Sequence, residues 1–137
     1  YIAVHDAARP FITPEEIETV CADAEKYGAA TLAVPVKDTI KVAAADGTVC
    51  ATPERSTLRA IQTPQVFRAE LLRRAYETEY RPEFTDDASV VELSGEAVFL
   101  CEGERANLKI TTPEDTVIAE ALLADREETH ETDGENI

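Results

Sequence analysis

Short apolar runs alternate with longer stretches of helical periodicity along this chain, which is the pattern of an α/β domain. Residues 1–4, Tyr-Ile-Ala-Val, read as a buried strand. The strand starts at residue 1, as in a chain cut from a longer one, because domains usually begin with a flexible lead. The first helix is signalled at both ends. Thr13 is an N-cap candidate, Pro14 takes the first helical position and Glu16 completes a capping box. Ile17, Val20, Cys21 and Ala24 recur at helical spacing, and Gly28 suits a helix stop. Residues 29–36 read as a second buried strand.

The texture then changes. Residues 39–42 and 48–52 are β-prone and flank an Asp46-Gly47 turn, the signal of a hairpin. Their side chains are too small and polar to fill a core, so a projecting arm is expected, of the kind that pairs with a partner subunit. Residues 67–80 read as a helix with Phe67, Leu71, Leu72, Ala75 and Tyr76 on one face. Residues 86–93 read as a short helix, and 97–101 and 108–111 as strands. Thr112-Pro113-Glu114-Asp115 opens the last helix, whose expected buried stripe is Val117, Ile118, Ala121 and Leu122. This gives a domain over residues 1–124, with the arm at about 38–60, and an acidic tail over 125–137 expected to be disordered.

A length of 137 residues suits one domain. No apolar run approaches the roughly 20 residues of a membrane helix. The net charge of −15 argues against nucleic acid and anionic membrane as partners. Any phosphate site must therefore gather its cations locally. Cys21, Cys50 and Cys101 form no C-x-x-C pair and fit free thiols in a reducing cytoplasm. Nucleophile-elbow, zinc-protease and Walker motifs are absent from the sequence.

Five places could carry chemistry. His5-Asp6-Ala7-Ala8-Arg9-Pro10 follows the first strand, and ligands of open parallel sheets bind beyond strand carboxyl ends. Asp6 could hold Mg²⁺, and Arg9 could grip phosphate oxygens in a fork. Equally, Asp6 and Arg9 could simply pair within a turn, and His5 reads as structural. Thr39 after the second strand could offer a hydroxyl or merely lead into the arm. Gln62-Thr63-Pro64-Gln65 reads as a helix entry, with Thr63 as cap or substrate contact. Thr85-Asp86-Asp87 reads as a capped helix start, where two acids oppose an anion and Thr85 remains the possible contact. Lys109 lies in a stretch that otherwise reads as a buried strand. An inward lysine is costly unless it meets an anion, although an edge position in solvent would explain it too.

Together, VHDAARPF at 4–11, AVPVKDTIK at 33–41, RAIQTPQVF at 59–67, TDDASVVE at 85–92 and NLKITTPED at 107–115 resemble the 2-C-methyl-D-erythritol 4-phosphate cytidylyltransferases, in order and spacing. The resemblance implies a Rossmann-like nucleotidyltransferase domain, truncated at its N-terminus, whose β-hairpin arm exchanges between the subunits of a cytoplasmic homodimer. It implies cytidylyl transfer from CTP to methylerythritol phosphate with Mg²⁺, in the non-mevalonate route to isoprenoids. Carried over, Asp6 binds the metal and Ala7 lies against the nucleotide. Asp6, Arg9 and Lys109 form the catalytic set. Thr39, Thr63 and Thr85 line the substrate site, and Arg55 reaches the substrate of the other subunit. The family's glycine-rich triphosphate loop has no counterpart here, since the five glycines are scattered. A ribitol-5-phosphate cytidylyltransferase, or a dimerising fragment without catalysis, are the competing readings. The expectation is that this chain alone does not turn over CTP. A pyrophosphate-release assay with CTP, methylerythritol phosphate and Mg²⁺ checks this, and clear release from the chain refutes it.

Overall fold

The computed structural model describes residues 1–134, with side chains as far as Glu127. In chain order the elements are β1 (Ile2–Val4), α1 (Pro14–Tyr27), β2 (Ala29–Pro35), β3 (Val42–Ala43), β4 (Val49–Ala51), β5 (Arg59–Phe67), α2 (Ala69–Ala75), α3 (Asp87–Leu93), β6 (Phe99–Glu102) and α4 (Pro113–Gly134). A four-stranded sheet has the order β1-β5-β2-β6. β2 and β6 are parallel, and β5 runs antiparallel to both β1 and β2. The sheet is therefore mixed, with its one reversed strand at an inner position.

Strand alternation sends neighbours to opposite faces. Ala29 and Phe67 join Leu72, Ala75, Val90 and Val91 under α2 and α3. Ala30, Leu32, Val66 and Cys101 join Val20 and Ala24 of α1 on the other face. Burial of Leu32, Phe67 and Val20 contributes on the order of 2 kcal/mol each. α1 begins as its sequence dictates. The Thr13 side chain accepts from the Glu16 amide at 3.2 Å, and the Thr13 amide donates to Glu16 Oε2 at 3.2 Å. Gly28 ends the helix at φ 94°, where a side chain would be strained. Glu16 is itself buried, and its Oε1 accepts from the Glu104 amide at 2.9 Å, tying α1 to the loop after β6.

Several expectations are corrected. Residues 62–65 do not lead into a helix but form the middle of β5. Phe67 closes that strand, paired with both Ile2 and Ala29, so the following helix starts only at Ala69. It ends at Ala75, where Glu77 and Thr78 bond three residues back and tighten the chain into a turn. Residues 108–111 are a loop rather than a strand, joined to the segment after β1 by the Ile110 amide and the Ala8 carbonyl at 2.8 Å. On α1, Val20 and Ala24 are buried, whereas Ile17 and Cys21 face outward. On α4, Ala119 is buried, whereas Val117 and Ile118 are exposed. Periodicity gave the stripe but not which side of it meets the sheet. α4 also continues to Gly134 past the boundary expected at 124, because no Pro or Gly interrupts it; residues 135–137 of the tail lie outside the described part. The hairpin stands as its own two-stranded sheet with every strand residue exposed, and β5 takes over from Arg59.

Gly103 follows β6 and donates to the Ala33 carbonyl at 3.0 Å. A Cβ there would lie 2.3 Å from Gln62 Oε1 and 3.3 Å from Leu32 Cβ. Gln62 is buried and its amide is already engaged, so it cannot swing clear at no cost. Gly103→Ala is therefore expected to destabilise by about 1–3 kcal/mol, the range of overpacked interiors. Urea unfolding measures it, and an unchanged midpoint would contradict the close approach.

Candidate active site

The site grows from an irregularity in β5. Thr31 pairs with Gln65 and Ala33 with Ile61, so Gln62, Thr63 and Pro64 stand opposite Leu32 alone. A bulge is where a strand tolerates proline, because no ladder hydrogen bond is needed from it. The bulge also leaves backbone carbonyls of Gln62 and Thr63 without ladder partners, and buried carbonyls must be satisfied. Thr31 Oγ1 donates to the Gln62 carbonyl at 3.1 Å, and Asn107 Nδ2 donates to the Thr63 carbonyl at 2.9 Å. Asn107 has no exposed surface.

β1 pairs with β5 only as far as Val4↔Gln65, where the bulge begins. The chain beyond it turns, with the Arg9 amide donating to the Asp6 carbonyl at 3.0 Å. The Asp6 amide donates to Thr63 Oγ1 at 2.9 Å. Arg9 Nη1 donates to the Asn107 carbonyl at 2.7 Å, and Arg9 Nε meets Asp6 Oδ2 at 3.3 Å. Lys109, two residues after Asn107, brings Nζ to the same Asp6 Oδ2 at 3.2 Å. Asp6, Arg9 and Lys109 thus meet although they are far apart in sequence. Lys109 is half exposed, on a loop held to the strand exit and not buried in a strand as its neighbours suggest.

These groups line a cavity of about 460 Å³ together with Thr63, Gln65, Thr85, Asp86 and Asp87. Gln65 sets one wall. Its Nε2 donates to Asp86 Oδ2 at 2.8 Å, and its Oε1 accepts from the Ala88 amide at 3.0 Å, fastening the start of α3 to β5. Asp86 caps that helix by accepting from the Ser89 amide at 2.8 Å. Tyr76 donates to Asp87 at 2.5 Å, and that bond pushes its phenol up to about 12. Of the residues singled out in the sequence, Asp6, Arg9, Lys109, Thr63 and Thr85 share this cavity. Ala7 and Thr39 are exposed and do not line it, and Arg55 lines a separate groove with Glu54, Ser56 and Arg59. Asn107, Gln62 and Gln65 were not singled out. Their signal was only that amide side chains flank the threonine and the lysine.

Burial pushes the Asp6 carboxyl up, and the Lys109 and Arg9 cations more than offset this, leaving it below its ordinary value. Among the described residues, no three His, Cys, Asp or Glu side chains converge as a metal cage. Asp6 can supply one carboxylate oxygen to a hard cation, which matches Mg²⁺ held by one or two carboxylates and substrate phosphates.

A pocket that gathers an arginine and a lysine at the carboxyl end of a strand, in a sheet flanked by helices, stands where open α/β sheets bind their ligands. The family model of IspD, 2-C-methyl-D-erythritol 4-phosphate cytidylyltransferase, matches residues 1–125, and the chain belongs to that family. A 2-C-methyl-D-erythritol 4-phosphate cytidylyltransferase of Bacillus thuringiensis (strain Al Hakam) is 51% identical over 125 residues, covering 90% of this chain and 55% of the relative. That of Pelotomaculum thermopropionicum is 47% identical over 128 residues, covering 92% and 54%. The crystal structure of 4-diphosphocytidyl-2C-methyl-D-erythritol synthase from Anaerococcus prevotii superposes with a TM-score of 0.80 at 36% identity, over 89% of this chain and 56% of that one. The crystal structure of the Thermus thermophilus cytidylyltransferase gives 0.74 at 38% identity, over 88% and 60%. The chain thus spans about half the length of the curated relatives it matches.

Asp6 stability is linked to pH with a definite sign. A lowered folded pKa adds stability above the ordinary value of 3.8, which is lost as pH falls through the folded value. Asp6→Asn is therefore expected to be less stable than the parent at pH 6, by under about 1 kcal/mol because the pair is partly exposed. Urea titrations should show the gap closing below pH 3.8. A gap that ignores pH would mean that the carboxylate charge is not what matters.

Proposed function

We propose that this cavity takes 2-C-methyl-D-erythritol 4-phosphate and presents its phosphate to CTP. A phosphate oxygen attacks the α-phosphorus, the bond to the β-phosphate bridge breaks, and CDP-methylerythritol and pyrophosphate are the products. One observation carries this reading: Arg9 and Lys109 converge on a single oxygen of Asp6 inside a cavity that also holds Thr63 and Thr85. The names of the relatives support the choice of substrates.

Arg9 is held in place from behind by the Asn107 carbonyl, so its guanidinium needs little reorganisation when an anion arrives. Lys109 is more exposed and can pass from Asp6 to a phosphate oxygen. Asp6, relieved of part of that pairing, is the residue to hold Mg²⁺. When bound, the ion would neutralise phosphate charge and align the reacting groups. Ala7, the smallest exposed side chain of this loop, leaves room for the nucleotide beside Asp6.

The arm gives the proposed second copy of the chain its docking element. Its strand residues are all exposed, and Thr39 and Arg55 lie at its base, outside the cavity of their own chain. In a cytoplasmic homodimer Arg55 would reach the other subunit's substrate, while Thr39 would line the substrate site. Sedimentation reads that dimer directly, and a monomer at all concentrations removes it.

Removing a charged hydrogen-bond partner typically costs about 1.5–3 kcal/mol, roughly ten- to a hundredfold in affinity. Lys109→Ala and Arg9→Ala are expected to weaken methylerythritol phosphate binding by that factor in calorimetry, whereas Lys26→Ala on the far end of α1 should not. Equal affinities across the three variants would exclude the site.

A further inference from the structure

His5 is not used by the mechanism above, yet it is bonded at both ring nitrogens. Its Nε2 lies 2.9 Å from the Arg9 carbonyl. A carbonyl only accepts, so Nε2 carries the hydrogen, and in the neutral ring Nδ1 is a bare lone pair. That Nδ1 lies 2.9 Å from Thr63 Oγ1. The threonine hydroxyl must therefore donate to it. The same Oγ1 already accepts the Asp6 amide hydrogen at 2.9 Å. A hydroxyl has one hydrogen and two lone pairs. The hydrogen goes to His5 and one lone pair to Asp6, so a ligand at Thr63 meets the remaining lone pair.

We propose that His5 is a positioning and specificity-determining residue: by taking the Thr63 hydroxyl hydrogen it makes this corner an acceptor, which receives a hydroxyl of the substrate and turns away its phosphate. The assignment of the two ends rests on the cavity's taking a sugar-alcohol phosphate. Its phosphate then belongs with the donors Arg9 and Lys109, and its polyol hydroxyls with Thr63. An anion oxygen at Thr63 would set lone pair against lone pair, the arrangement by which a polar site rejects the wrong group. A purely structural histidine would brace the loop without imposing any order on ligands.

Two measurements on this chain decide it. The first needs no ligand. A long-range ¹H–¹⁵N spectrum at pH 8 resolves histidine tautomers, and the chain has only His5 and His130, which His5→Asn distinguishes. The expected form of His5 is Nε2–H, and an Nδ1–H ring overturns the proposal. The second compares ligands by calorimetry. Thr63→Val removes the acceptor of the Asp6 amide as well, so it should weaken both ligands, but methylerythritol phosphate about tenfold more than inorganic phosphate, as one further lost hydrogen bond would, while Thr63→Ser restores both. Equal losses for the two ligands, or a loss for inorganic phosphate alone, overturn the assignment of acceptor to this corner. If the parent chain binds neither ligand, the sugar-phosphate reading and the polyol assignment fall together. The ring tautomer then still decides whether His5 orients Thr63.

Discussion

Everything at the site depends on the bulge of β5 and on how its freed carbonyls are satisfied. A buried carbonyl left without a partner costs about 1–3 kcal/mol. At Thr63 that cost is met by the Asn107 side chain, which must come from the far end of the sequence to do so. The Asn107 carbonyl is thereby placed to receive Arg9, and the next residues carry Lys109 to Asp6. The bulge in turn points Thr63 at the Asp6 amide. One break in a ladder thus links β1, β5 and the loop after β6 in a closed circuit of hydrogen bonds, and the charged groups take their places from that circuit.

The circuit also bears on how a chain of net charge −15 could hold the proposed phosphate site. The global field repels phosphate, so the cations must be held close together in advance, and two cations alone would repel one another. Asp6 resolves this by pairing with both through one oxygen. Its pKa is lowered for the same reason. Among the described residues, Gln62 Oε1 and Asn107 Oδ1 are buried acceptors without a protein hydrogen-bond partner, and both belong to the amides that hold the circuit.

Local rules made part of this visible in the sequence. The capping box of Thr13 and Glu16, the stop at Gly28 and the Asp46-Gly47 hairpin are short-range signals, and each element formed where they stand. The pairing of an acid with an arginine three residues on was legible too. What was not legible was decided by pairing across the fold. Thr-Pro before an apolar run is a common helix entry, and only the pairing of Gln65, Val66 and Phe67 with two strands at once holds this segment in a sheet. The segment at 108–111 has strand-like residues, but it is held by one backbone bond and by side chains, so no ladder forms. For α1 and α4 periodicity placed a stripe without saying which part the sheet covers, and Ile17, Val117 and Ile118 remain exposed.

The motifs that carry the family resemblance were informative only in combination, and the hydrogen bonds show why. VHDAARPF supplies His5, Asp6 and Arg9, whose partners lie in RAIQTPQVF and NLKITTPED. RAIQTPQVF supplies Gln65, whose partners open TDDASVVE. In NLKITTPED the loop is secured at both ends, by Asn107 to β5 and by Asp115, which accepts from the Thr111 and Thr112 amides at 2.8 and 2.9 Å. Each of these four strings is incomplete by itself because some of its polar groups are satisfied by another string. A single match therefore says little, whereas several in order imply the same closed circuit, and with it the same grouping of charge. By that logic a substitution at Asn107, which no ligand need touch, should disturb Arg9, Thr63 and Lys109 together rather than one at a time.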